Sequence, residues 1–311
     1  MLNRRHLLAL GCGLGLLHRG AWSRARRIGH LMAIGGAEDR LQDRVILRRF
    51  VDLCGGAAAR IVVFTAASGD PEAAWRGYEP VFRELGVQHC QPLDMRTAQE
   101  ANDPERVSRL LGADGIFMTG GDQRRLMEVL WESEVARAMH TAFHLRGCCI
   151  GGTSAGAAAL SRQMLAVGET PRLPEKDAAT LDLGLGFVSS AIIDQHFSER
   201  RRLGRLLSAL AQRPDMLGIG IDEDTALVIE RGQSVEVIGR GAVTLIDGRQ
   251  MHSNFEDVDT SARLEMLGVR LHLLPAGHRY DVGPGEPDRR RLPPSLLDAV
   301  ERLVAPGPIR G

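Results

Sequence analysis

Lysine is nearly absent from this chain, aromatic residues make up only 4% of it, and cysteine occurs at five positions. Almost all of the 39 basic residues are arginine, which suits a GC-rich genome as well as any function. The 39 acidic residues cancel them, so overall charge gives no reason to expect nucleic acid or another polyanion as partner. Cysteines 12, 54, 90, 148 and 149 form no CxxC pair and no Cys/His spacing of a zinc site. Cys148 and Cys149 stand side by side in an apolar run, where thiols pack as small hydrophobes. Four cysteines beyond Cys12 allow three disulfide connectivities, and spacing does not choose among them. What remains, 44% apolar and 25% charged over 311 residues, is the composition of a soluble globular chain with a sizeable core.

The N-terminus differs in character. Leu7–Leu17 is an uncharged run of eleven residues directly after Arg4, Arg5 and His6. A bilayer span takes about 20 residues, so this run is too short to cross and fits the core of a signal peptide. The paired arginines resemble a twin-arginine export signal. Residues 1–25 are read as that signal, 26–280 as one α/β domain and 281–311 as a peripheral C-terminal tail. The expected location is periplasmic or secreted, or cytoplasmic if the segment is not a signal.

Strand-like and helix-like runs alternate over the first 220 residues. His30–Ile34, Arg60–Thr65, Val87–Pro92, Asp114–Met118, Ala191–His196 and Leu217–Ile221 read as strands. Apolar residues at helical spacing mark Arg40–Cys54, Glu72–Leu85, Pro104–Leu111, Ser133–Leu145, Ala157–Arg162 and Glu199–Leu210. Val167–Thr180 is polar and broken by proline, and reads as a surface loop. The alternation predicts a mostly parallel sheet with helices on both faces, followed by an extra β-rich C-terminal part. Such sheets put their sites beyond the carboxyl ends of the strands.

One stretch organises the chemistry. Gly152-Thr153-Ser154-Ala155-Gly156 is Gly-x-Ser-x-Gly between an apolar run and an Ala/Leu helix former. That is the string of a nucleophile elbow, where flanking glycines relieve crowding on a strained turn and the serine Oγ is pushed into the open. A glycine-rich turn with a buried serine reads the same way, and 36 glycines can produce it by chance. A serine hydroxyl needs a base, and usually a carboxylate behind it. Among ten histidines, His196 alone stands at a strand end amid polar residues, and Glu223 closes a later strand. The order Ser, His, Glu differs from the α/β-hydrolase order, in which the acid precedes the histidine.

Four strand-end motifs follow one another. They are Gly120-Gly121-Asp122-Gln123, then Gly152-Thr153-Ser154-Ala155-Gly156-Ala157, then Asp194-Gln195-His196-Phe197 with Arg200, Arg202 and Arg205 behind it, and finally Gly218-Ile219-Gly220-Ile221-Asp222-Glu223-Asp224-Thr225-Ala226. Together, from about Gly35 to Gly277, they resemble the S51 serine peptidases, the family of cyanophycinase and aspartyl dipeptidase. The resemblance implies a class I glutamine-amidotransferase-like or flavodoxin-like α/β fold. It implies Ser154 as nucleophile, His196 as general base and Glu223 as orienting acid, with oxyanion amides near Gly121, Asp122 and Ala155. Substrate-pocket roles fall to Gln123, Asp194, Gln195, Arg200, Arg202 and Arg205. The implied substrate is cyanophycin, a polyaspartate bearing arginine on each side-chain carboxyl, with short Asp-containing peptides as the alternative. No metal, organic cofactor, nucleic acid or membrane partner is implied, and a homodimer is allowed. A non-catalytic amidotransferase-like binding module is the rival from another class; a glutaminase mechanism would need cysteine where Ser154 stands.

The arginines invite a geometric check. An exopeptidase grips a free carboxylate, which suits a guanidinium fork, and Asp194 could receive a substrate guanidinium. On one regular helix Arg202 and Arg205 share a face, while Arg200 points about 200° away from Arg202. All three reach one pocket only if the segment starts irregularly.

Overall fold

Continuous apolar runs have no polar face to offer water, so they become inner strands covered on both sides. In the structure, a computed structural model describing residues 29–282 and 292–305, β1 (His30–Ile34), β2 (Arg60–Phe64), β3 (His89–Leu93), β4 (Gly115–Met118) and β5 (Cys149–Thr153) lie parallel in the order β3-β2-β4-β5-β1. The export signal read at 1–25 lies outside the described residues. Helices α1 (Val45–Cys54) and α2 (Pro71–Glu84) cover one face through Phe50, Tyr78 and Phe82. Helices α3 (Pro104–Leu111), α4 (Gln123–Leu130) and α5 (Glu134–Arg146) cover the other. Side-chain caps set several helix starts: Asp70, Asp103, Asp122 and Ser133 each accept a first-turn amide. Helix α1 begins five residues later than its periodicity suggests. The Asp39 carboxylate collects the amides of Leu41, Gln42 and Arg44 and ties that stretch into a turn.

Past β5 the chain departs from simple alternation. Helix α6 (Ala155–Ala158) is one turn long, because Leu160 and Arg162 pair with Val188 instead of continuing it. The expected loop at 167–180 is found over residues 169–178, where it joins β6 (Gln163–Gly168) to β7 (Ala179–Leu183) as an antiparallel hairpin that takes in only the ends of the expected segment. Its tip is tied to residues 255–264: Lys176 Nζ donates to the Val258 carbonyl and lies 4.9 Å above the Phe255 ring.

Strands β8 (Ala191–Gln195) and β9 (Leu217–Ile221), connected by α7 (Leu203–Gln212), do not join the main sheet. They pair in parallel in a second sheet, completed by β12 (Ala242–Asp247) and β15 (Arg270–Pro275) after two strands return to the first. Those two, β10 (Thr225–Glu230) and β11 (Ser234–Gly239), extend the main sheet antiparallel beside β1. The short pair β13 (His252–Ser253) and β14 (Met266–Leu267) precedes β15, and β16 (His278–Asp281) closes the main sheet's edge. The chain therefore changes sheets at residues 222–224, the corner that carries Glu223. Helix α8 (Pro294–Val304) corrects the reading of a peripheral tail. Its Leu296, Ala299, Val300, Leu303 and Val304 are buried in the main core.

Candidate active site

Ser154 joins β5 to α6 with φ 53° and ψ −110°, a backbone that non-glycine residues rarely adopt. Both flanking glycines are demanded by their neighbours. A Cβ on Gly152 would lie 2.9 Å from the Ala157 nitrogen, and one on Gly156 would lie 2.5 Å from the Met118 carbonyl oxygen. This tight strand-to-helix turn leaves Ser154 half-buried at the carboxyl ends of β4, β5 and β1.

Ser154 Oγ is 2.9 Å from His196 Nε2, and His196 Nδ1 is 2.6 Å from Glu223 Oε1. With Nδ1 donating to the carboxylate, Nε2 is left to accept the serine hydroxyl, the tautomer that a general base needs. The other two acids of the motif are engaged elsewhere. Asp222 accepts the amides of Ser198 and Ala242, both at 3.1 Å. Asp224 accepts the Asp39 amide at 2.8 Å and pairs with Arg240 at 3.2 Å.

The end of β1 holds all of this in place, and the sequence reading gave it no role. Three successive carbonyls act as the template: Ile34 accepts the Ser154 amide, Gly35 the His196 amide and Gly36 the Asp224 amide, at 3.0, 2.8 and 2.9 Å. Gly36 has φ 100°, and a Cβ there would sit 2.5 Å from His196 Nε2. The available signal was the Gly-Gly doublet closing a strand.

The loop after β4 approaches the serine through Gly120, where an added Cβ would be 3.5 Å from Ser154 Cβ. Gly121 follows with φ 146°, and a Cβ on it would meet the Ser68 nitrogen at 2.8 Å. Asp122 is not available as an oxyanion donor: its amide already donates to the Ala67 carbonyl at 2.9 Å. Its side chain caps α4 and pairs with Arg124, whose guanidinium holds the Asp122 carboxyl below its usual range. Among the described residues the Gly121 and Ala155 amides have no such backbone acceptor.

The pocket residues are arranged differently from the expectation. Asp194, only 1% exposed, accepts Arg205 Nε at 3.0 Å and also Arg205 Nη2, with Arg202 Nη1 at 3.4 Å and the Gln195 amide at 2.9 Å. Its oxygens are filled, so it is a buried counter-ion and not a receiver for a substrate guanidinium. Arg202 also donates to the Gln195 carbonyl at 2.6 Å and to Gln195 Oε1. The segment does start irregularly. Residues 198–202 form a turn with Arg201 at φ 51°, and α7 begins at Leu203, which brings Arg202 and Arg205 onto Asp194 and leaves Arg200 exposed. Gln123 uses its amide nitrogen on the Leu165 and Ala166 carbonyls, and Arg205 reaches the Gly168 carbonyl, so both hold the β6–β7 hairpin. Two guanidiniums on one carboxylate leave a positive charge uncompensated. Burial pulls the Arg202 guanidinium down to about 10, opposed by Asp194 and reinforced by the charges of Arg205 and Arg200.

A serine at the carboxyl end of the main sheet, in relay with a histidine and a carboxylate that follow two strands of the second sheet, is the equipment of an acyl-transfer hydrolase. Residues 31–238 match peptidase family S51. The chain is 39% identical over 269 residues to a cyanophycinase of Synechococcus elongatus, covering 86% of this chain and 84% of that one. A cyanophycinase of Geminocystis herdmanii is 38% identical over 252 residues, covering 81% and 93%. In fold it is similar to a peptidase from an acI-B1 Actinobacterium, with a TM-score of 0.59 at 22% identity over 82% of this chain and 98% of that one. The chain belongs to peptidase family S51 and is a hydrolase.

Proposed function

We propose that this peptidase is a serine exopeptidase that degrades cyanophycin to β-Asp-Arg dipeptides. The reading is carried by the Ser154–His196–Glu223 relay in a chain whose relatives are cyanophycinases. Ser154 Oγ attacks the scissile backbone carbonyl while its proton passes to His196 Nε2, and Glu223 stabilises the imidazolium. The amides of Gly121 and Ala155 receive the developing oxyanion, each donor being worth about 3–4 kcal/mol. Collapse of the tetrahedral species breaks the C–N bond, and the leaving amine takes the proton from His196. Water, deprotonated by the same histidine, then cleaves the Ser154 ester and restores the hydroxyl.

Arg202 and Arg205 are assigned to the substrate's free carboxylate, and Gln123, Gln195 and the exposed Arg200 to the rest of the pocket. Support comes from the surplus positive charge of the cluster, two guanidiniums on the one Asp194 carboxylate, which a substrate carboxylate would offset. Residues 1–25 are assigned to twin-arginine export, which would place the mature enzyme where external polymer is the food. Fractionation of expressing cells tests that assignment: a shortened chain in the periplasm or medium supports it, and a full-length cytosolic chain overturns it. For the activity, the wild-type protein is incubated with purified cyanophycin and the soluble products are weighed by mass spectrometry. The β-Asp-Arg dipeptide is expected. Release confined to short aspartyl peptides would shift the substrate class, and no release from either would reject the reading.

A further inference from the structure

Among the described residues, three acidic side chains lie buried at 5% exposure or less, namely Asp194, Asp247 and Glu38. The first two are neutralised by arginine, Asp194 by Arg202 and Arg205, and Asp247 by Arg249. Glu38 has no ion-pair partner among the described residues. Its two oxygens are taken instead by hydroxyls: Thr153 Oγ1 donates to Oε2 at 2.6 Å, and Tyr78 Oη donates to Oε1. A buried carboxylate without a counter-charge is costly to keep, and such groups concentrate where function needs them. Here the location is specific. Glu38 lies two residues beyond Gly36, which packs on His196, and Thr153 is the residue immediately before Ser154.

We propose that Glu38 is a positioning residue for the acylation of Ser154, acting through Thr153. The proposal rests on Ser154 as nucleophile, whose strained turn must be held in place for attack. The Ser154 backbone, at φ 53°, is tied on its amide side to the Ile34 carbonyl. Its neighbour Thr153 is tied through its side chain to Glu38, on the same β1 extension that carries Gly35 and Gly36. Tyr78 anchors the other carboxylate oxygen to α2, and the Arg40 guanidinium lies 5.2 Å over the Tyr78 ring. Burial and the Glu38 charge push the Tyr78 hydroxyl well above its usual range, so it remains a donor at any working pH. The carboxylate thus links the elbow, the β1 end and α2 by two hydrogen bonds that only an acceptor of both can make.

The test compares Glu38→Gln, Thr153→Val, Thr153→Ser and the double variant Glu38→Gln/Thr153→Val with wild type. The readouts are kcat and KM for dipeptide release, the rate of Ser154 labelling by a fluorophosphonate, and thermal melting. A misplacement of about 1 Å costs roughly 10²-fold in rate. Glu38→Gln and Thr153→Val are therefore expected to lower kcat and the labelling rate about 10- to 100-fold with KM within about twofold. Thr153→Ser, which keeps the hydroxyl, should restore most of the loss. The double variant should be no slower than the worse single one, because both changes remove the same link. Full kcat in melt-competent Glu38→Gln or Thr153→Val protein would overturn the proposal, as would losses that simply multiply in the double variant. A Ser154→Ala protein that still labels or still releases dipeptide would instead overturn the nucleophile assignment on which the proposal rests.

Discussion

Gly36→Ala is the most searching perturbation of the site, because it adds one methyl group and replaces none of the reacting residues. The added carbon would stand 2.5 Å from His196 Nε2, where unstrained contact needs about 3.5 Å. Either the ring or the β1 end must yield by about 1 Å. The ring is held at both nitrogens, by bonds of 2.9 Å to Ser154 and 2.6 Å to Glu223, so a shift of that size carries at least one beyond useful length. A displacement of about 1 Å is worth roughly 10²-fold in rate, or about 2.7 kcal/mol of barrier. The variant also places a Cβ at φ 100°, a strain of about 1–3 kcal/mol in stability. Gly232→Ala separates the two effects, since Gly232 has φ 70° in a turn with nothing within 4 Å of the added carbon. The assay is kcat for dipeptide release, normalised to folded protein by circular dichroism, with urea melts alongside. Gly36→Ala should lose at least 10²-fold in kcat, whereas Gly232→Ala should lose stability alone. A folded Gly36→Ala enzyme with wild-type kcat would refute the template argument.

Other expectations follow from the same geometry. Glu223→Gln should cut kcat by about 10⁴-fold, the scale for losing an orienting acid, as judged by steady-state release; a larger loss in Asp222→Asn or Asp224→Asn would move the acid to another residue. Asp194→Asn leaves two buried guanidiniums without their counter-ion and should cost about 3–5 kcal/mol in a denaturant melt, with an unchanged stability contradicting the buried cluster. The His144 imidazole is pulled down to about 4, first by burial and then by the charges of Arg231 and His140. Below pH about 6.5 the unfolded chain takes up a proton that the folded chain refuses, so this residue makes stability fall between pH 6.5 and 4. His144→Gln should flatten that part of the pH–stability curve, and an identical slope in both proteins would argue against it.

The elbow was legible from the sequence because its requirements are local: glycines at Gly152 and Gly156 answer to backbone within a few residues or on the next strand. His196 and Glu223 were legible as polar residues closing apolar strands. Which sheet those strands join was not, since β8 and β9 have the same apolar pattern whether they extend the main sheet or start a second one. The direction of a backbone amide is equally hidden, and so Asp122 was grouped with Gly121 although its amide is spent on Ala67. The arginines depended on where α7 begins, which the turn at residues 198–202 decides. Gly36 and Glu38 escaped notice because the contacts that tie them to the site, with His196 and Thr153, span more than 100 residues, and no pattern along the chain records such contacts.

The central claim is that Ser154 carries the acyl group. Wild-type and Ser154→Ala proteins, matched for folding, are given cyanophycin, with the soluble products and the intact protein mass followed together. Wild type should release β-Asp-Arg dipeptide and, when quenched in acid, show an added mass that maps to Ser154, while the variant shows neither. Dipeptide release by Ser154→Ala at a comparable rate would contradict the account.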